Sequence, residues 1–255
     1  MKYFIPVLFL VTFAGSCFGI TPAPSTSTNL VKAVKAPVAK NDWSGTATLG
    51  LTATSGNVNS VLATTTFAAE KKDPRNDLKL NADGAYGEVG SVESAETLHG
   101  CVQDNHTFID DTWYDYGRAD ALHDGIADVD YRVTTSAGAG YYFIKNKQNT
   151  LSSEAGPAFQ TEKLDDQYHN YPSARVAESF EHKIDGHARV WENVEIIPPL
   201  TYPDAFLVNA QVGVETPLTP RLSWQTYLQD NFANVPAPGF KDNDLKLISG
   251  IVFKF

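Results

Sequence analysis

From Trp43 onward, hydrophobicity alternates with a period of two residues over segments far longer than ordinary strands. In Trp43-Ser-Gly-Thr-Ala-Thr-Leu-Gly-Leu-Thr-Ala-Thr54 the odd positions carry Trp, Gly, Ala, Leu, Leu and Ala, and the even positions are mostly hydroxylated. Successive side chains of a strand point to opposite faces, so this pattern gives one apolar and one polar face, whereas a helix would scatter both sets around its circumference. The period recurs in Leu78, Leu80, Ala82, Gly84 and Tyr86 against Lys79, Asn81, Asp83 and Ala85. It recurs again in Val208, Ala210, Val212 and Val214 against Asn209, Gln211, Gly213 and Glu215. Val, Thr and aromatic enrichment also favours strands.

About twelve such segments are expected: 43–54, 61–70, 75–87, 101–109, 113–122, 131–144, 149–160, 173–183, 188–197, 205–216, 221–231 and 243–255. The fourth carries the weakest pattern. Most run about ten to thirteen residues, against about five or six for strands of soluble sheets. At about 3.3 Å per residue and a tilt near 40°, ten residues rise roughly 25 Å, the height of the apolar band of an outer-membrane barrel. The expected fold class is therefore all-β, an antiparallel up-and-down transmembrane β-barrel.

The connections support this. Those after even-numbered segments are short (71–74, 110–112, 145–148, 184–187 and 217–220), and those after odd-numbered ones are expected to be longer, notably 88–100, 122–130, 161–172 and 232–242. Short periplasmic turns alternating with longer outside loops are characteristic of such barrels. Aromatic belts are expected from Trp43, Trp113, Tyr114, Phe143 and Phe253 at the periplasmic ends and from Tyr86 and Tyr131 at the outer ends. The last segment places Leu245, Leu247, Ile251, Phe253 and Phe255 on one face. Ile251, Phe253 and Phe255 form the expected signal for the barrel-assembly machinery.

The N-terminal segment reads as an export signal. Lys2 precedes an apolar run from Tyr3 to Phe13 and the small residues Ala14-Gly15-Ser16, the layout of a secretory signal peptide over 1–19. Cys17 is either discarded with the signal or, if Ala14-Gly15-Ser16-Cys17 acts as a degenerate lipobox, becomes a lipid-modified N-terminus. Residues 20–42, rich in Thr, Pro, Ala and Ser, read as a disordered periplasmic lead before the barrel over 43–255. The expected location is the outer membrane, with membrane lipid and lipopolysaccharide as partners. Once the signal is removed, Cys101 is the only cysteine, which excludes an intramolecular disulfide. With Lys2 gone, the 20 basic residues become 19 against 30 acidic ones, a net of −11 that argues against nucleic acid as a partner.

Seven stretches in register resemble one family. They are Trp43-Ser-Gly-Thr-Ala-Thr-Leu-Gly-Leu-Thr-Ala-Thr-Ser-Gly-Asn57, His123-Asp-Gly-Ile-Ala-Asp-Val-Asp-Tyr-Arg132, Ala137-Gly-Ala-Gly-Tyr141, Glu154-Ala-Gly-Pro157, Glu178-Ser-Phe-Glu-His-Lys183, Glu215-Thr-Pro-Leu-Thr219 and Pro236-Ala-Pro-Gly239. They are similar to the YdiY-like, salt-induced outer-membrane proteins, the domain of unknown function 481. The resemblance covers Trp43 to Phe255, though 101–111 departs from the pattern. It implies an outer-membrane barrel of unassigned role linked to salt or osmotic stress, and it carries over no functional residue.

No cofactor and no catalytic site are expected. None of His99, His106, His123, His169, His182 and His187 lies in a phospholipase-type context, and no Gly-x-Ser-x-Gly elbow occurs. The expected function is a non-enzymatic barrel that serves envelope integrity or the passage of small solutes under salt or osmotic stress; the alternatives are a lipid-modifying enzyme at the barrel rim and a soluble periplasmic β-barrel that binds a small ligand. Asp124, Asp128 and Asp130 are candidate ligands for a divalent cation, in a loop that lacks EF-hand spacing. Lys79, Asp83, Arg132, Glu154, Gln211 and Glu215 are the expected lumen-lining residues, with Arg132 paired to a nearby acid. Their interior is either a plug of polar side chains or a narrow pore.

Overall fold

The computed structural model describes residues 43–54, 60–108, 111–184, 187–236 and 241–255. The signal peptide expected at 1–19, with Cys17, and the lead expected at 20–42 lie outside the described residues.

Twelve strands close into one antiparallel barrel: β1 (Trp43–Thr54), β2 (Ser60–Lys72), β3 (Asn76–Val89), β4 (Val92–Thr107), β5 (Trp113–Asp124), β6 (Val129–Lys145), β7 (Asn149–Leu164), β8 (Gln167–Ile184), β9 (Ala188–Ile197), β10 (Leu207–Pro217), β11 (Leu222–Ala233) and β12 (Asn243–Lys254). Each strand pairs with its sequence neighbours, and β12 returns to β1 from Thr46↔Lys254 to Gly50↔Gly250. The seam is locked at its end by reciprocal backbone hydrogen bonds of 3.1 Å between Gly45 and Phe255. Closure leaves the sheet no free edge strand, so backbone groups find partners within the wall.

The two faces follow the sequence period. Leu49 is 72% exposed on the outer face while the adjacent Thr48 is 5% exposed inside. The usual distribution is inverted: the side chains most completely buried include Gln160, Asn105, Ser173 and Ser223, whereas Leu51, Leu98, Leu245 and Leu247 are exposed. The wall is apolar outside and polar within.

Two expected loops are instead strand. Residues 88–100 and 161–172 continue the ladders into two-residue turns, Gly90-Ser91 with φ of 59° and 65° and Asp165-Asp166 with φ of 48° and 58°. Two consecutive positive φ values suit the right-handed twist of a hairpin, and Gly and Asp tolerate them best. The ladder continues here because backbone hydrogen bonds do not need an apolar face. β4 accordingly begins at Val92, well before the expected Cys101. The expected 122–130 loop is likewise shortened to the turn 125–128 between β5 and β6, and the strand bounds leave the longer connections at this end between β9 and β10 and between β11 and β12; this end is the loop end, and the opposite one, with the 73–75 and 146–148 connections, is the turn end.

One aromatic assignment is overturned. Trp43, Trp113, Phe143 and Phe253 are exposed near the turn end and Tyr86 and Tyr131 are exposed toward the loop end, but Tyr114 is 2% exposed and points inward. Trp113 and Tyr114 are consecutive, so a period of two cannot place both outside. Tyr114 packs over its cross-strand partner Gly140, where a Cβ would lie 2.1 Å from the ring.

Candidate functional site

The lumen is packed by side chains along β1 and toward the turn end of β9 to β12: the rings of Trp191 and Tyr227 stand 6.2 Å apart, and Thr48, Ser223, Ile248 and Val252 are buried in the same part of the wall. Gly213 lies between the two rings, where a Cβ would come 2.5 Å from Trp191 and 2.6 Å from Tyr227. The rest of the lumen is a cavity of about 1080 Å³. Its lining runs from Pro74, Arg75, Asp111 and Lys145 at the turn end to Ala127, Leu164, Val235 and Lys241 at the loop end.

A lattice of charged side chains crosses this cavity. Nδ1 of His99 lies 2.8 Å from Asp83 and its Nε2 lies 3.3 Å from Asp120. Arg118 donates to both oxygens of Asp120, at 2.6 and 2.7 Å, and to Gln103 at 3.0 Å. Gln103 and Tyr114 donate to Glu154 at 2.8 and 3.0 Å. Arg175 then joins Glu154 at 2.7 Å to Glu195 at 2.5 Å, with its guanidinium 5.1 Å from the Tyr116 ring centre. Glu195 also lies 4.0 Å from Arg118, which closes the circuit across the barrel from β5 to β9. Each charge has an opposite charge within reach, the condition under which charges persist out of bulk water.

The expected lumen residues are distributed around this lattice. Asp83 and Glu154 belong to it. Lys79 lines the cavity 3.6 Å from Asp77, and Gln211 donates to Gln229 across β10–β11 at 3.4 Å. Arg132 lines the cavity and donates to Glu162 at 2.5 Å. Glu215 is buried at the turn end, where it accepts from Arg189 at 2.7 Å and pairs with Lys254. Sequence reasoning missed His99, Gln103, Arg118, Asp120, Arg175 and Glu195. The inward parity of β5 and β8 could have shown Arg118, Asp120 and Arg175, but His99 fell in a segment read as loop.

The three candidate metal ligands do not converge. Oδ1 of Asp124 accepts the backbone N–H groups of Ile126 and Ala127 at 3.1 and 2.9 Å, Asp128 supplies a turn position with φ of 55°, and Asp130 pairs with Lys163. Lys163 also hydrogen-bonds Asp166 at 2.6 Å and so holds that turn carboxyl below the usual carboxylate range. Among the described residues no group of three or more His, Cys, Asp or Glu is placed to hold a metal. His99 has both ring nitrogens engaged by carboxylates, and Cys101 lies half-buried on the same strand. On the outer face Ile251, Phe253 and Phe255 are exposed, and the Phe255 ring stacks on Phe67 with centroids 6.0 Å apart.

The profile of the family described as "Protein of unknown function, DUF481" matches residues 47–255. No curated protein matches the chain. Among solved structures, the NanC porin is similar with a TM-score of 0.52 at 10% identity, covering 82% of this chain and 100% of its own. An outer-membrane channel from Pseudomonas putida F1 gives the same TM-score and identity and covers 89% of this chain and 100% of its own. At that identity the likeness is one of fold.

Proposed function

Because the chain belongs to the DUF481 family, whose biochemical role is unassigned, we propose that it is a non-enzymatic outer-membrane barrel that passes small polar solutes through its lumen. The loop end faces outward and the turn end faces the periplasm. The observation that carries this reading is the cavity whose polar lining includes residues of both ends of the barrel. The inverted burial supports the membrane part. Leucines exposed at mid-wall around a polar interior suit hydrocarbon outside and water inside, the opposite of a soluble protein. In that setting the passage serves solute balance under salt or osmotic stress.

Refolded protein in a planar bilayer tests the pore. A small, steady current through single insertions is expected, and verified insertion without current across the full voltage range would sink it. Membrane residence itself predicts extraction only with detergent and heat-modifiable migration on gels. The lattice joining Arg118, Glu154, Arg175 and Glu195 across the cavity favours a second reading, a barrel plugged by its own side chains. The two separate on the variant Glu154→Gln/Arg175→Met/Glu195→Gln. If that variant conducts and the parent does not, the native lumen is plugged.

A further inference from the structure

The geometry points to a binding vestibule for small amphipathic cations in the loop-end half of the lumen, with the apolar body held by inward-facing aliphatic residues and the cationic head held over the charged lattice. This rests on the reading of the lumen as a water-filled passage entered from the loop end.

The first support is a change of chemistry along the cavity. Water-facing positions in a barrel interior are ordinarily polar, and those of the lattice are. Near the loop end, however, five strands each place an aliphatic residue inward among the polar ones: Leu122 near the end of β5, Val129 opening β6, Leu164 closing β7, Ile197 closing β9 and Leu207 opening β10. Four of them form two cross-strand pairs, and Leu122 stands apart between His99 and Arg132. Val129 pairs with Leu164, and Ile197 pairs with Leu207. Val129 and Ile197, only 3% and 4% exposed, back the half-buried Leu164 and Leu207, and it is these two leucines and Leu122 that offer apolar surface to the lumen. Two apolar surfaces with a few polar groups below them are the usual make-up of a small-molecule site.

Charge selects the head group. Four carboxylates of the lattice, on Asp83, Asp120, Glu154 and Glu195, face two guanidiniums, on Arg118 and Arg175, and His99 already bridges two of the acids. Both arginines are bonded to carboxylates, which leaves an anion no uncommitted cation in the lattice, while the excess of carboxylate suits a positive head. The mouth acts the same way: Glu93, Asp128, Asp165 and Asp166 lie in or beside the loop-end turns. Lys163 and Lys241 offset part of this rim, which stays net acidic, and a net-acidic rim raises the local concentration of cations.

Three probes added to the loop side of single channels in a planar bilayer test the site: hexyltrimethylammonium, tetramethylammonium with the same head and no tail, and hexanesulfonate with the same tail and the opposite charge. Hexyltrimethylammonium is expected to block at a concentration about tenfold or more below that for tetramethylammonium, the gain from burying roughly two methylenes. Hexanesulfonate is expected to block least. In Leu207→Asn and Leu122→Asn, with block scaled to each variant's own open current, the advantage of the hexyl tail should fall to near unity. Equal block by the two cations, comparable block by the sulfonate, or an undiminished tail effect in both variants would each overturn the proposal. Should no channel conduct, the passage reading fails separately, and calorimetric titration of the same probes into the full barrel in nanodiscs decides the site. The same order of affinities upholds a vestibule closed below, and absence of heat with hexyltrimethylammonium overturns it.

Discussion

At the scale of single residues the molecule depends on which way each side chain faces, and matched substitutions on the two faces expose that dependence. Leu49 and Val212 are 72% and 47% exposed on the outer wall, so Leu49→Arg and Val212→Arg each put a charge into hydrocarbon. A cost of about 2–4 kcal/mol is expected in chemical unfolding from liposomes. Gln211, next to Val212, faces the cavity, and Gln211→Arg should change stability by less than about 1 kcal/mol while altering conductance. Similar losses for both faces would mean the faces are misassigned. Thr48→Arg is a poor control although it points inward, because Thr48 is packed in the filled side of the lumen and an arginine there would overpack it. The period of two fixes inside against outside from sequence, as Leu49 and Gln211 illustrate. Whether an inward residue meets water or another side chain depends on partners across the barrel, which local sequence does not encode. Tyr114 shows this: its ring occupies space that exists only because its partner on β6 is Gly140. Gly140→Val is therefore expected to destabilise by about 1–3 kcal/mol, read in the same unfolding assay.

Among the strands, the closing seam is the weakest joint. β1 pairs with β2 over its whole length, from Trp43↔Lys71 to Thr54↔Ser60, but its ladder with β12 runs from Thr46 to Gly50, extended by the Gly45–Phe255 backbone bonds alone. Side-chain contacts at the turn end therefore matter more here than elsewhere. Phe255 stacks on Phe67 of β2 and packs over Gly45 of β1, so one ring ties β12 to two strands. Phe255→Ala should lower the temperature of heat-modifiable migration, with a loss of about 1–2 kcal/mol from the ring pair and its buried area. The conservative Phe255→Tyr should restore most of it; an unchanged transition in Phe255→Ala would remove the seam from consideration. Element existence was readable from sequence and element ends were not. β3 and β4 extend to Gly90-Ser91 on residues such as Glu88, Glu93 and Glu96 that show no hydrophobic contrast, so the strand signal fades while the backbone ladder continues. The two-residue turns themselves left a trace, in Gly90-Ser91 and Asp165-Asp166, that hydrophobic periodicity does not weigh.

Over the whole barrel, charge is distributed unevenly along the axis, and that asymmetry should appear as a direction-dependent current. The loop end carries Glu88, Glu93, Asp128, Asp165 and Asp166 against Lys163 and Lys241, whereas at the turn end Lys72, Arg75, Lys145, Lys183 and Arg189 offset the acids around them. Cations accumulate at an acidic mouth and anions near a basic one. A potential positive on the loop side drives each ion from the region where it is enriched toward the opposite one, so both fill the lumen together and current is larger; the reverse potential depletes it. The expected result is rectification at low salt, fading as ionic strength rises and the Debye length shrinks from about 30 Å at 0.01 M to about 3 Å at 1 M. Sidedness can be fixed by modifying Ser91→Cys, in a Cys101→Ser background, with an impermeant thiol reagent. Glu93→Gln/Asp165→Asn/Asp166→Asn should weaken the rectification and leave the barrel folded, since all three lie in or beside turns and outside the lattice. A linear current at low salt in the parent, or rectification unchanged by this triple substitution, would show that the axial charge does not govern the passage.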